Sequence, residues 1–190
     1  MLLSQFQGVG RDLFNLGLVT SSSGNLSVRM GERIIITRRG SALSCLEEPD
    51  LIETGLDKND RATPLASTEL AVHRAIYQTT RASAIVHAHS PYATALSLAV
   101  CEIIPSDTEG ITTLGTVPVV GRGQEVKPGA LAKEISQALD EYSIVMVAGH
   151  GSFAIGQLLE EALSYTTIME ASARINCLLR SLQAGPSSQI

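Results

Sequence analysis

Residues 84–91, with the sequence AIVHAHSP, predict a strand that passes directly into a helix, and this pattern indicates the fold class. Residues 84–89 form a short, largely apolar run that predicts a strand, and the run carries two histidines two positions apart. Pro91 suits the first turn of a helix, where its missing N–H costs nothing, and a helix is predicted over residues 92–99. A strand that passes at once into a helix is typical of a domain that mixes both kinds of element.

The segments before this one add further strands and a helix. Residues 26–29 and 33–37 are strand-like runs joined by a short turn, which predicts a hairpin that a third run at residues 51–54 could extend. The next helix is predicted to begin after Ser67 or Thr68, either of which can serve as its N-cap.

The remaining pattern completes a layered fold. Residues 143–148 are apolar on both faces, which is typical of a strand that is covered on both sides. Because the early strands are consecutive while helices separate the later ones, we predict an α/β fold of the α+β type. It has three α/β/α layers and a mixed, largely antiparallel central sheet. The other predicted elements are helices at residues 12–19, 128–139 and 158–182 and a strand at residues 116–120.

Length and composition limit the classes of protein that the chain can belong to. Its 190 residues suit a single domain, predicted over residues 1–182, with a flexible tail at residues 183–190. A hydrophobic fraction of 44% excludes disorder, and a net charge of −5 argues against a nucleic-acid-binding protein. No apolar run approaches the roughly 18 residues of a membrane span.

Two further features predict a cytoplasmic protein. Residues 1–7 lack the basic and apolar regions of a secretory signal. The three cysteines, Cys45, Cys101 and Cys177, are scattered and form no CxxC pair, so the sequence indicates neither a disulfide framework nor a thiolate zinc site.

The histidines suggest a metal site. His87 and His89 lie two apart on a predicted strand, so both imidazoles leave the same face. His150 follows a second strand and sits between two glycines, and Glu69 opens a helix. Three imidazoles and a carboxylate suit Zn²⁺, although Mn²⁺, Co²⁺ or Fe²⁺ are also compatible with this set.

Each of these residues also has an ordinary structural explanation. His150 can be a turn donor, and Glu69 can be a first-turn carboxylate favoured by the helix dipole. His73, four residues after Glu69, can pair with it on the helix surface or replace it as the fourth ligand.

Four motifs in one order carry a resemblance to a known family. They are GNLSVR at residues 24–29, STE at 67–69 with His73 following, HAH at 87–89 and GHG at 149–151. Over about residues 5–180 the chain resembles the class II aldolase/adducin family. The resemblance implies a nine-stranded sheet with helices on both faces, and a homotetramer with its sites between neighbouring subunits.

The resemblance also assigns roles to residues of this sequence. It implies that His87, His89 and His150 bind the metal, that Glu69 is both ligand and base, and that His73 is structural. It places the substrate phosphate at a set of small and polar residues, and Arg39 stands where the family has a hydroxyl residue. With Arg39, that predicted phosphate set is Gly24, Asn25, Arg39, Gly40, Ser67 and Thr68.

The activity that the resemblance implies is that of an aldehyde-lyase. Such an enzyme cleaves a small ketose phosphate, such as L-fuculose 1-phosphate, by retro-aldol chemistry through a metal-stabilised enediolate. Glu109 stands near the position of the family's proton-donating tyrosine and is the candidate acid, and a second tyrosine from a longer C-terminal tail has no match. The alternatives are a sugar-phosphate 4-epimerase, a dehydratase or decarboxylase, and a non-catalytic adducin-like scaffold. Glu69 disfavours the epimerase, which carries Asp there, and the metal residues disfavour the scaffold.

Overall fold

The protein is described by a computed structural model that covers residues 2–122 and 128–183. These residues form eight strands and six α-helices. The strands are β1 (Asn25–Met30), β2 (Arg33–Thr37), β3 (Leu51–Gly55), β4 (Ala84–Ala88), β5 (Glu102–Ile103), β6 (Val117–Val120), β7 (Ile144–Val147) and β8 (Gly151–Gly156). The helices are α1 (Leu2–Asn15), α2 (Leu70–Thr79), α3 (Pro91–Ser97), α4 (Thr108–Thr113), α5 (Pro128–Ala138) and α6 (Leu159–Gln183).

The strands form one sheet in the order β3-β2-β1-β4-β8-β7-β6-β5. All neighbours are antiparallel except β6 and β7, which are parallel. The prediction of a mixed, largely antiparallel sheet is therefore confirmed. Its centre is the pair β4 and β8, and the register places His87 of β4 between Asn25 of β1 and Phe153 of β8.

Helices cover both faces of the sheet, as three α/β/α layers require. On one face Val86 packs in a core with Phe6 of α1 and Met169 of α6. On the other face its neighbour Ile85 packs in a second core with Ile76 of α2. The alternation of neighbouring β4 residues between two cores explains why the strand is apolar on both sides.

Several elements differ from the prediction. The sequence pattern does not predict β8, because its sequence GSFAIG has glycine at both ends and a single β-branched residue. The described residues contain eight strands rather than the nine that the resemblance implies. Residues 12–19 are predicted to belong to an opening helix that stops near Gly17, whereas α1 ends at Asn15, and the pattern predicts neither β5 nor the short helix α4.

The predicted tail falls almost entirely on residues that the structure does not describe. Gln183 is the last residue of α6, and residues 184–190 lie outside the described part of the chain. Within the described ranges no helix combines the length and the apolar character needed to cross a membrane. Cys45, Cys101 and Cys177 are all free thiols.

Candidate functional site

One cavity is lined by nearly every site residue that the sequence predicts. It has a volume of about 180 Å³ and lies where the end of β4, the start of β1, the turn between β7 and β8, and the start of α2 meet. Its lining comprises Ser22, Ser23, Gly24, Asn25, Arg38, Arg39, Gly40, Ser67, Thr68, Glu69, His87, His89 and His150.

Three imidazoles form a tight cluster in the lining of this cavity. The possible ligand atoms of His87, His89 and His150 all lie within 4.8 Å of one another. The Nε2 atoms of His87 and His89 are 2.9 Å apart, and the ring of His150 stands edge-on to both, with centroid distances of 5.1 and 5.0 Å. The three histidines that the sequence predicts as metal ligands therefore lie together in one compact group.

The tautomer of His87 is fixed by the backbone. Its Nδ1 is 2.8 Å from the carbonyl oxygen of Ser152, which can only accept, so Nδ1 carries the proton and Nε2 keeps a lone pair. Burial and the neighbouring imidazoles of His89 and His150 hold the pKa of His87 well below its usual value. Burial and His150 also lower the pKa of His89. Both rings are therefore held in the neutral form that binds metals.

The donor set fits a divalent cation. The Nε2 lone pair of His87 faces Oε2 of Glu69 at 3.1 Å, and Oε1 of Glu69 lies 3.5 Å from Nε2 of His150. A lone pair against a carboxylate oxygen is repulsive unless a cation or a proton lies between them. Imidazole nitrogens with a carboxylate oxygen are the ligands that Zn²⁺ and similar ions take.

Glu69 is placed by the start of α2. It is the N-cap residue of that helix, a position predicted for Ser67 or Thr68, and its side chain makes no capping bond. The hydroxyl of Ser67 instead accepts from the backbone N–H of Glu69 at 3.3 Å. Because the carboxylate is not used by the helix, it turns toward the histidines, where the side-chain amide of Asn25 donates to Oε2 at 2.7 Å.

His73 does not belong to the cluster. It is fully buried under the sheet, with Nδ1 against the hydroxyl of Ser27 at 2.6 Å and Nε2 against Oδ1 of Asn25 at 2.5 Å. Burial lowers the pKa of His73 to about 3, so the ring is neutral. Both nitrogens are occupied, which rules out the interpretations of His73 as a fourth metal ligand and as the partner of Glu69.

The lining of the cavity also includes the residues predicted to hold phosphate. Arg39 donates through Nη2 to the carbonyl of Pro64 at 2.7 Å, which ties one end of its guanidinium to the backbone. Among the described residues neither Arg38 nor Arg39 has a carboxylate within 4 Å, so both charges remain available to an anion. The side chain of Asn25 is only 6% exposed and is already bonded to Glu69 and His73.

The lining of the cavity differs from the predicted set of site residues at four positions. Ser22, Ser23 and Arg38 line it but were not nominated, although the serines immediately precede Gly24 and Arg38 adjoins Arg39. Glu109 is exposed in the first turn of α4 and is not among the lining residues of this chain's cavity. Its role as an acid stays a prediction.

Glycines allow the backbone to bring the histidines together. Gly149 lies in the turn between β7 and β8 with φ of 68°, a conformation that side chains disfavour. A Cβ on Gly151 would overlap the carbonyl oxygen of Ala88 and would lie 3.1 Å from Cδ2 of His89. The start of β8 therefore approaches the end of β4 more closely than any other residue type permits.

Comparison with known proteins identifies a family and several relatives of this chain. Residues 4–177 match the family described as the class II aldolase and adducin N-terminal domain. The solved L-fuculose-1-phosphate aldolase of Thermus thermophilus superimposes with a TM-score of 0.89 and 37% identity, covering 98% of each chain.

Two curated relatives carry other activities. The 3-oxo-tetronate 4-phosphate decarboxylase of Escherichia coli is 27% identical over 100% of this chain and 94% of its own. A probable bifunctional methylthioribose-1-phosphate isomerase/methylthioribulose-1-phosphate dehydratase of Nocardia farcinica is 29% identical over 88% of this chain, which spans only 34% of that longer protein. The family match, together with the shared fold, leads to one conclusion: the chain belongs to the class II aldolase and adducin N-terminal domain family.

Proposed function

We propose that the protein is a metal-dependent aldehyde-lyase that cleaves a small phosphorylated ketose by a retro-aldol reaction. The observation that carries the proposal is a single cavity lined by three imidazoles and a carboxylate and also by two arginines that have no carboxylate within 4 Å among the described residues. A short sugar phosphate has matching chemistry, since its carbonyl and hydroxyl groups lie a few bonds from its phosphate.

In this proposal His87, His89 and His150 hold the metal, with Glu69 beside them, and Zn²⁺ suits the imidazole-rich set best. When bound, a divalent metal supplies a Lewis acid that polarises a carbonyl oxygen. The protein's own contribution is to fix the ligand atoms. The bond from His87 to the carbonyl of Ser152 directs Nε2 toward the cavity in the neutral state.

Glu69 is the group that moves protons. Its carboxylate is 20% exposed and borders the cavity, so it can reach a substrate hydroxyl. In retro-aldol cleavage a base takes the hydroxyl proton, the C–C bond breaks to release an aldehyde, and the electron pair passes to the ketone fragment, which is then protonated. Glu109 would supply an acid only across a subunit contact, because it does not line the cavity of its own chain.

The phosphate is assigned to the arginine, hydroxyl and glycine residues of the cavity lining. Arg39 offers a planar guanidinium that can grip two phosphate oxygens, and Gly40, Ser67 and Thr68 add backbone and hydroxyl donors near the start of α2. Because the side chain of Asn25 is already engaged, its contribution to an anion is limited to the second N–H of its amide. Assembly as a homotetramer and a cytoplasmic location are part of the same proposal.

The aldolase assignment is supported by the L-fuculose-1-phosphate aldolase that shares this fold over nearly its whole length at 37% identity. A decarboxylase is the second candidate, because a relative of that activity matches the whole chain. Both reactions break the bond between the α and β carbons of a ketone, and they differ in whether an aldehyde or carbon dioxide leaves.

The test is a product assay on purified, metal-loaded protein. L-Fuculose 1-phosphate, a pentulose 5-phosphate and a 3-oxo-acid phosphate are supplied separately, and aldehyde, epimer and carbon dioxide are measured. We expect aldehyde from the ketose 1-phosphate, and Glu69→Gln should lower that rate about 10²- to 10⁴-fold because the amide cannot accept a proton. Carbon dioxide as the main product would replace the aldolase assignment with the decarboxylase, and an unaffected Glu69→Gln rate would remove Glu69 from the base role.

A further inference from the structure

We propose that His73 is a positioning residue: through the side chain of Asn25 it holds the Glu69 carboxylate in one orientation at the cavity. The proposal rests on the proposed role of Glu69 in proton transfer. It is carried by an unbroken series of four hydrogen bonds that runs from the buried core to the site. The series links Tyr77, Ser27, His73, Asn25 and Glu69, with successive distances of 2.8, 2.6, 2.5 and 2.7 Å.

The direction of every bond in the series follows from its end at Glu69. An ionised carboxylate only accepts, so Asn25 presents its N–H to Glu69 and its carbonyl oxygen to His73. His73 must then donate from Nε2, which leaves a lone pair on Nδ1 to accept from Ser27. The hydroxyl of Ser27 in turn accepts from the phenol of Tyr77.

Hydrogen bonds that run in the opposite direction along the series are disfavoured at the contact between Asn25 and Glu69. Rotating the amide of Asn25 by 180° would turn its carbonyl oxygen toward the carboxylate oxygen of Glu69, and two acceptors would repel each other. The N–H of His73 therefore supplies the hydrogen-bond donor that keeps the amide of Asn25 in the required orientation.

The surroundings keep His73 in the state that this role needs. The ring is fully buried and stands edge-on to Phe153, with centroids 6.0 Å apart. Burial holds it neutral, so it always has one N–H and one lone pair, and burial also raises the pKa of Tyr77, which stays a donor. Asn25 itself lies on β1 opposite His87, so the series ties the carboxylate to the β1–β4 strand pair, which carries His87.

The experiment compares three variants of the full-length protein. His73→Phe keeps a buried aromatic ring and removes both nitrogens, His73→Gln keeps a donor, and Ile76→Val is a control for mild disturbance of the same helix, since Ile76 is equally buried and outside the series. We expect His73→Phe to lower kcat about 10- to 100-fold with little change in KM, as loss of a group that orients an active-site residue does. His73→Gln should recover part of this loss, and Ile76→Val should remain near the parent rate.

Crystal structures of the parent protein and of His73→Phe separate this proposal from the proposed function. We expect the Asn25 amide and the Glu69 carboxylate to change orientation in the variant while the three cluster histidines stay in place. If both side chains keep the parent orientation, or if His73→Phe matches the parent in kcat, the positioning role is wrong. A parent protein without lyase activity would overturn the proposed function, and the orientations of Asn25 and Glu69 would still decide whether His73 positions them.

Discussion

The three imidazoles of the cluster differ in how strongly the backbone holds them. His87 is buried and donates to the carbonyl of Ser152, whereas the ring of His150 stands on a turn and is 39% exposed. The backbone holds His89 in a third way. Its backbone N–H donates to the carbonyl of Leu18, while its ring contacts only the other two histidines among the described aromatic rings. Its side chain can therefore be removed without breaking a bond that holds the sheet together.

We expect His89→Ala to remove most of the bound metal. Two imidazoles and a carboxylate remain, and three ligands instead of four bind a divalent ion much more weakly. Metal content per subunit is measured by elemental analysis after dialysis, with Glu109→Gln as the control because Glu109 lies outside the cavity. Equal metal content in His89→Ala and the parent would show that the metal, if any, binds elsewhere.

Arg39 is expected to recognise the phosphate of the substrate. Arg39→Ala should raise KM for a phosphorylated ketose about 10- to 100-fold, since a hydrogen bond to a charged group contributes about 1.5–3 kcal/mol. The unphosphorylated analogue should be nearly unaffected, and steady-state kinetics on the two substrates makes the comparison. Equal losses on both would assign Arg39 to structure or assembly, consistent with its bond to the carbonyl of Pro64.

Among the secondary-structure elements, the hairpin of β7 and β8 positions His150, one of the three histidines of the cluster. We expect Gly151→Ala to destabilise the protein by about 1–3 kcal/mol, because the added methyl would overlap the carbonyl oxygen of Ala88. The end of β4 must then shift and carry His89 with it, so metal affinity should fall as well.

Thermal unfolding and metal titration check this prediction for Gly151→Ala. The matched control is Gly8→Ala in α1, where a Cβ meets nothing within 4 Å, so that helix propensity should leave stability unchanged or slightly increased. A Gly151→Ala protein as stable as the parent would contradict the close approach of β8 to β4.

The segment after β3 contains a carboxylate that links stability to pH. Burial acts to raise the pKa of Asp60, but hydrogen bonds from Arg33 and from the backbone of Ala62 outweigh it and lower the pKa from 3.8 to about 2. A pKa lowered by folding contributes stability above the unfolded value, and this contribution is lost as pH falls from about 4 toward 2.

The melting temperature of Asp60→Asn should therefore fall less steeply between about pH 4 and pH 2 than that of the parent. Scanning calorimetry across this range gives both slopes. Asp57→Asn serves as the control, since Asp57 accepts from Gln78 and has no arginine partner among the described residues. Parallel slopes for Asp60→Asn and the parent would mean that the interaction with Arg33 does not influence acid unfolding.

At the scale of the whole molecule, the end of α6 leaves apolar side chains in water. Ile175, Leu178, Leu179 and Leu182 recur at helical spacing, and the last is 78% exposed. Such a continuous apolar stripe is typical of a surface that another protein covers.

We expect the protein to be a homotetramer, with a mass in light scattering near four times the 20.1 kDa of the chain. The double variant Leu178→Asp and Leu182→Asp should have a lower mass, because it places charges on a surface that the assembly would bury. A parent species of 20.1 kDa would contradict the tetramer, and an unchanged mass in the double variant would place the contact on another surface.

The class of fold and the chemical character of the site can be predicted from the amino-acid sequence. Local patterns are sufficient for a hairpin such as β1–β2 and for a long helix such as α6, because their periodicity reflects contacts between residues close in the chain. The residue types were also informative: three histidines and Glu69 predict a metal site, and the structure brings all four to one cavity.

Arrangements that depend on distant parts of the chain become visible in the three-dimensional fold and cannot be predicted from local sequence. The glycine-flanked strand β8 has weak local propensity and exists because β4 and β7 pair with it on both sides, which brings His150 to His87 across 63 positions in sequence. The neutral state of His73 and the engagement of Asn25 likewise follow from burial and from bonds to residues more than 40 positions away. Local sequence cannot encode such pairings, because the free energy that selects them comes from burying surfaces that meet only when the whole sheet has formed.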